Sequence, residues 1–98
     1  MNWNEIFEYR DGKLYWNKKT NRNIVIGSLA GSLRSGGYLR VGAKGSYHYV
    51  HRIVWEMHNG DIPEGMEIDH INGSRSDNRV ENLRIVSHSE NQKKHENE

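Results

Sequence analysis

Asp69 and His70 stand side by side between Ile68 and Ile71, with Asn72-Gly73 following. Asn82 comes thirteen residues after Asp69, just before the apolar run that starts at Leu83, and Asn91 comes twenty-two residues after Asp69. Packing explains that spacing poorly, whereas chemistry offers a reason. Cutting a phosphodiester needs a base to deprotonate water, a hard cation to neutralise the leaving oxygen, and donors that hold the phosphate in line. A neutral imidazole, with an unperturbed pKa near ~6.5, serves as that base at neutral pH, and this is the part open to His70. On a strand Asp69 points away from His70, so the two make a poor His-carboxylate dyad; one can face a metal while the other faces the attacking water. Asn91 offers a second oxygen ligand. An Asp and an Asn completed by waters and phosphate oxygens form a hard shell that suits Mg²⁺ or Mn²⁺ more than zinc.

Each residue also has a plain reading. An isolated Asp-His pair is usually a solvated turn, and an Asn before a strand is also a turn or capping residue. Both roles are compatible at Asn82, because a structural Asn that orients a catalytic loop supports the chemistry. Ser87-His88-Ser89-Glu90 has the spacing of a capping box, which places Asn91 near the end of the first turn of a helix. His88, Asn91 and His95 then share one helix face. His88 reads as a surface residue of the first turn. His95 is an auxiliary candidate that reaches the metal or the scissile phosphate, or else faces solvent at the helix end.

The elements that must position these residues are short. Glu67 to His70 and Arg84 to Val86 read as strands joined by a polar loop from Asn72 to Asn82, and Ser87 to about Lys94 as the final helix. His51 to His58 reads as a helix, with Ile53, Val54 and Met57 at core spacing and Asn59-Gly60 ending it. His51 at its start serves for a local hydrogen bond. Ile24 to Ile26, Tyr38 to Val41 and Tyr47 to Val50 are β-branched or aromatic runs between Gly-Ser-rich turns, which fits a small antiparallel sheet. Tyr38, Tyr47 and Tyr49 are half-buried sheet residues on this reading, with base-stacking platforms as the alternative. Two assignments compete for Phe7 to Tyr9: a short helix from Asn4, or one arm of a hairpin with Lys13 to Asn17 about the Asp11-Gly12 turn. Ser32 to Gly37 is the candidate flexible loop. The expected core is Trp3, Phe7, Leu14, Trp16, Ile53, Val54, Trp55, Ile68, Ile71, Leu83, Ile85 and Val86.

Taken together, Asp69-His70, Asn82 and Asn91 resemble the HNH nuclease motif in the form where the last His is replaced by Asn, as in phage- and intron-encoded homing endonucleases. The flanks His51-Arg52-Ile53-Val54-Trp55, Pro63-Glu64-Gly65, Asp77-Asn78-Arg79 and Glu81-Asn82-Leu83-Arg84 are similar to that family too, so the resemblance covers residues 36 to 95. It implies an α+β fold: a ββα-metal (His-Me finger) core, here preceded by a small antiparallel β-sheet and a helix. It implies His70 as general base, Asp69 and Asn91 as metal ligands, and Asn82 as the brace of the loop that carries His70. It implies products with 5′-phosphate and 3′-hydroxyl ends. Asn91 departs from the many relatives with His there, which weakens a zinc or nickel reading and strengthens the magnesium one.

Composition bounds the rest. Ninety-eight residues with 34% apolar content and a mean hydropathy of −0.98 make one domain with a small core. We divide it into a basic, β-rich, DNA-contacting part over 1–50 and a helix plus catalytic core over 51–98. Cysteine is absent, which excludes disulfides and a Cys-rich structural zinc site. No apolar run approaches a membrane span and the N-terminus is no signal peptide, so a cytoplasmic protein of a bacterium or phage-infected cell is expected, with no membrane partner. The net charge of +1 hides an asymmetry: Gly12 to Arg52 holds eight basic residues and no acid, while ten acids face five bases from Ile53 onward. Beside a nuclease motif such a block reads as a track for double-stranded DNA, with Arg34, Arg40 and Lys44 on the backbone and Arg52, Arg75 and Arg79 as further phosphate contacts. The expectation is a monomeric, Mg²⁺- or Mn²⁺-dependent DNA endonuclease of nicking or homing type. A catalytically inert nucleic-acid-binding module and a ribonuclease using the same site are the rivals.

Overall fold

A computed structural model describes residues 2–89, so Asn91, His95 and the body of the expected final helix lie outside the described residues. Among the described residues, three small antiparallel sheets surround one helix. After a short 3-10 turn at Trp3–Glu5, β1 (Phe7–Arg10) and β2 (Lys13–Trp16) form a hairpin, and β3 (Leu29–Ala30) adds to the β2 edge. A second sheet runs β4 (Ser32–Leu33), β5 (Leu39–Ala43) and β6 (Ser46–Tyr49), and β6 passes directly into α1 (Val50–Asn59). The last sheet pairs β7 (Met66–His70) with β8 (Leu83–Ser87). Helical backbone begins again at His88 and Ser89. This is the expected α+β architecture.

The competition at Phe7–Tyr9 resolves in favour of the hairpin, with Phe7 opposite Trp16 and Arg10 opposite Lys13. Its Asp11-Gly12 turn has φ of 47° and 86°, the positive pair that a two-residue hairpin turn requires. Gly12 is needed for a second reason. A Cβ there would sit 2.7 Å from the Arg79 backbone nitrogen, so the hairpin tip lies directly on the loop that leads into β8. Tyr9 adds a tie on the same side, its hydroxyl oxygen accepting from the Val80 N–H at 3.0 Å.

One apolar cluster joins both halves of the chain: Trp3, Phe7, Leu14 and Trp16 pack with Val41, Val50, Ile53, Val54, Ile68 and Leu83. The helix contributes the stripe expected of it, burying Val50, Ile53 and Val54 and leaving Arg52 outside.

Four expectations need correction. Tyr47 and Tyr49 are exposed rather than half-buried, at 66% and 42%, because both lie on the outer side of β6, and Tyr38 stands just before β5 rather than in it. Ile24–Ile26 forms no strand; the segment bends back through Gly27 N–H to Trp16 O and Ser28 N–H to Val25 O, leaving Val25 and Ile26 exposed. The alternation that would bury one face is missing there, so β propensity alone does not hold it. Ile71 is 53% exposed rather than in the core, because it is the first residue beyond β7 and its backbone, not its side chain, is used, in a bond to Asn82 O. The Ser32–Gly37 segment is not all loop: Ser32–Leu33 pairs with β5, and the Arg34–Tyr38 turn closes through two backbone bonds.

Candidate active site

Asp69 and His70 end β7 on opposite faces, as a strand's two-residue period demands. His70 points inward and is 5% exposed. Its Nε2 lies 2.8 Å from Asn78 Oδ1, and an amide oxygen only accepts, so Nε2 carries the proton and Nδ1 keeps its lone pair. Three aromatic rings crowd the same corner. His51 meets His70 edge to face at 4.9 Å, Tyr38 stands 6.2 Å from His70, and Tyr49 stacks on His51 at 5.4 Å.

The loop that follows His70 is clamped at its base by Asn82. Its Oδ1 accepts from the Asn72 backbone N–H, while Nδ2 donates to Asn72 Oδ1 and to Asp77 O, all within 3.0 Å. Asn72 also reaches Asp77 Oδ2 at 2.8 Å and takes the Ser74 N–H. Arg79 grips both oxygens of Asp77 at 2.9 and 2.8 Å, which holds that carboxyl well below its usual pKa and the guanidinium above its own. Asn82 thus braces the loop, while the group that touches the His70 ring is Asn78.

Asp69 lies on the other face, where its register partner Arg84 donates Nε–H to Oδ2 at 3.0 Å. The turn that starts at His88 begins on this same side: His88 Nδ1 is 2.8 Å from Glu67 Oε1, and Glu67 shares the Asp69 face of β7. A carboxylate such as Asp69 is a hard oxygen donor of the kind that suits a cation of the magnesium class. Among the described residues no group of three His, Cys, Asp or Glu side chains comes together.

The cationic candidates have different surroundings. Arg75 donates to Gly36 O at 2.8 Å and covers Tyr38 at 5.1 Å, the ring that stands 6.2 Å from His70. Arg79 is spent on Asp77. Arg40 lies over Tyr47 at 4.3 Å with its Nε buried, and Lys44 sits at the β5–β6 turn with Nζ 5.3 Å from the Trp3 ring. Arg34 is exposed in the β4–β5 turn, and Arg52 is exposed on α1 at the rim of a cleft of about 600 Å³ that Tyr38, Tyr49, His51, Glu56 and Glu67 also line.

Sequence reasoning missed two residues. Asn78 was visible only as part of a flanking motif, and nothing in its spacing separates it from the other loop amides; its burial does, at 1% exposure. His51, read as a local hydrogen-bonding residue, instead has a buried Nδ1 with no partner, and its pKa is lowered to about 3 by burial, then by His70 and Arg52.

A strand-borne Asp-His pair, a loop clamped by Asn and a second strand that passes into helical backbone at His88 resemble the ββα arrangement of nucleases. Residues 48–93 match the family model of HNH endonucleases. YosQ of Bacillus subtilis (strain 168), a prophage-derived protein named as an HNH homing endonuclease, is 43% identical over 60 residues, 56% of this chain and 35% of its own. The gene 5.3 protein of Enterobacteria phage T3 is 46% identical over 50 residues, 51% of this chain and 48% of its own. Among solved structures, that of the HNH homing endonuclease I-HmuI, described for its DNA binding and cleavage, superposes with a TM-score of 0.67 at 25% identity, over 91% of this chain and 51% of that one. The chain therefore spans between a third and about half of the length of these proteins.

Proposed function

We propose that this chain is a divalent-metal-dependent DNA endonuclease that hydrolyses phosphodiester bonds with His70 as general base. The observation that carries the reading is the Nε2–Asn78 hydrogen bond, which leaves Nδ1 of a fixed imidazole as the proton acceptor. His70 Nδ1 takes the proton of the attacking water, Asn78 holds the ring, and the Asn82–Asn72 clasp keeps the loop beneath them in place. Asp69 and Asn91 are the residues that would hold Mg²⁺ or Mn²⁺, which when bound supplies charge neutralisation at the phosphate and the leaving oxygen. His95 is an auxiliary group on the same segment.

In this reading 1–98 is one nuclease domain. The basic part over 1–50, with Arg34, Arg40 and Lys44, follows the DNA backbone, helped by Arg52 and Arg75, and the part over 51–98 cuts. One site serves one strand, so a monomer nicks. The I-HmuI structure, described for its DNA binding and cleavage, supports DNA as the substrate class.

The test is a digest of supercoiled plasmid and of a matched RNA with Mg²⁺, with and without EDTA. Nicked DNA that appears only with the metal, and falls by ~10² or more in His70→Ala, is the expected result. Cutting in chelator, or an active His70→Ala protein, overturns the mechanism. Digestion of RNA alone transfers it to a ribonuclease.

A further inference from the structure

The hydrogen bonding around His70 does not close. Asn78 Oδ1 takes the Nε2–H, yet Asn78 Nδ2 is buried without a partner, and so is Nδ1 of His51. Both residues are more than nine-tenths buried and both press on the same imidazole, one at 2.8 Å and the other ring to ring at 4.9 Å. An amide N–H donates, and a neutral imidazole nitrogen without hydrogen accepts. Unmade hydrogen bonds are rare inside proteins, so two orphans of opposite kind beside one ring point to each other.

We infer that Asn78 Nδ2–H reaches His51 Nδ1 through one buried water, and that His51 is thereby a positioning residue that sets which nitrogen of His70 is basic. The chain of donation runs from His70 Nε2–H to Asn78 Oδ1, and from Asn78 Nδ2–H through that water to His51 Nδ1. Turning the Asn78 amide over would place Nδ2 against His70 Nε2, require a lone pair there, and move the His70 proton to Nδ1, where the attacking water must be met. An acceptor at His51 opposes that turn. The His51 ring is itself held by Tyr49 stacked on it and by Tyr38 at 5.6 Å. Burial, His70 and Arg52 keep it neutral near pH 7, the form that accepts.

The inference rests on His70 being the base, but the tautomer is measurable without any cleavage. The experiment is a long-range ¹H–¹⁵N correlation spectrum of the ¹⁵N-labelled full chain at pH 7.5, for the wild type, His51→Phe and His51→Asn, with single-turnover plasmid cleavage and DNA affinity alongside. Phe keeps the ring contact and removes the acceptor; Asn places an oxygen near the Nδ1 position. Expected are an Nε2–H tautomer in the wild type and a mixture in His51→Phe. Cleavage in that variant drops roughly 10-fold or more at unchanged DNA affinity, the usual scale for a supporting partner, and His51→Asn recovers both. A wild-type tautomer with the proton on Nδ1 overturns the inference. So does a His51→Phe protein with unchanged tautomer, or a failure of His51→Asn to restore what Phe loses. A tautomer shift without cleavage in any form supports the positioning role and removes only the nuclease reading.

Discussion

Acid should expose His51 as a stability switch. Its pKa falls from 6.5 to about 3 on folding, with burial the main cause and His70 and Arg52 adding to it. The unfolded chain takes up this proton as pH drops through ~6.5, whereas the folded chain refuses it until near the depressed value. The unfolded state thus binds more protons across that window, so the contribution is fully present above the unfolded pKa and is lost as pH falls. Linkage gives about 2 kcal/mol lost between pH 7 and pH 5, rising to roughly 4 kcal/mol near pH 3. Against a typical domain stability of ~5–15 kcal/mol that is a large share. The assay is urea unfolding at pH 7 and pH 5 for the wild type and His51→Phe, which keeps the ring and cannot titrate. Other groups contribute to both proteins, so the difference of differences isolates His51. The wild type should lose about 2 kcal/mol more than the variant over that interval. Equal losses would refute the argument and mean that the ring is protonated, or well solvated, in the folded state.

Three further outcomes follow from the same geometry. Asn78→Ala strands the His70 Nε2–H in a buried site and should destabilise the chain by ~1–3 kcal/mol in thermal or urea unfolding, with plasmid nicking reduced; unchanged melting would mean that water replaces the amide freely. Gly12→Ala puts a Cβ 2.7 Å from the Arg79 nitrogen at a φ of +86°, so a loss of at least ~1–2 kcal/mol is expected from the backbone alone, and a neutral result would show that the hairpin tip does not rest on the loop. Neutralising Arg34, Arg40 and Lys44 together should weaken DNA binding and flatten the log–log salt dependence by ~0.9 for each phosphate that the variant no longer neutralises, leaving single-turnover cleavage at saturating protein little changed; a normal salt titration would move the track to Arg52 and Arg75.

What was legible in the sequence was whatever a local period or a local steric demand controls. The Asp-Gly pair required positive φ and produced the hairpin; the apolar stripe of α1 and the bounds of β7 and β8 fell within a residue or two of expectation. Alternation on β7 also foretold that Asp69 and His70 part company across the sheet. What stayed hidden was long-range. Ile24–Ile26 has strand-like residues with no partner strand in reach, and Ile71 loses its place in the core because β7 stops one residue earlier. Asn78 and His51 meet His70 from separate elements, a loop and a helix start, and no spacing rule links them.

That hidden part decides how the site works. In the proposed mechanism the two faces of β7 have different jobs, and only one of them was fully visible in the order of residues. Asp69, with Arg84 across the ladder, occupies the face assigned to the cation. His70 occupies the packed face: Asn78 on one side, His51 and Tyr38 on others, and beneath them a loop clamped by Asn82 and pressed by the Gly12 turn and Tyr9. A base must present one nitrogen in one direction, and a metal ligand must tolerate exchange of its partners. Adjacent residues on a strand satisfy both demands at once, because the pleat sends one side chain into the rigid interior and its neighbour out toward the ligand-accessible face. In the proposed mechanism the N-terminal hairpin therefore belongs to the catalytic apparatus as much as to any DNA track, since its turn and its tyrosine buttress the loop that follows His70.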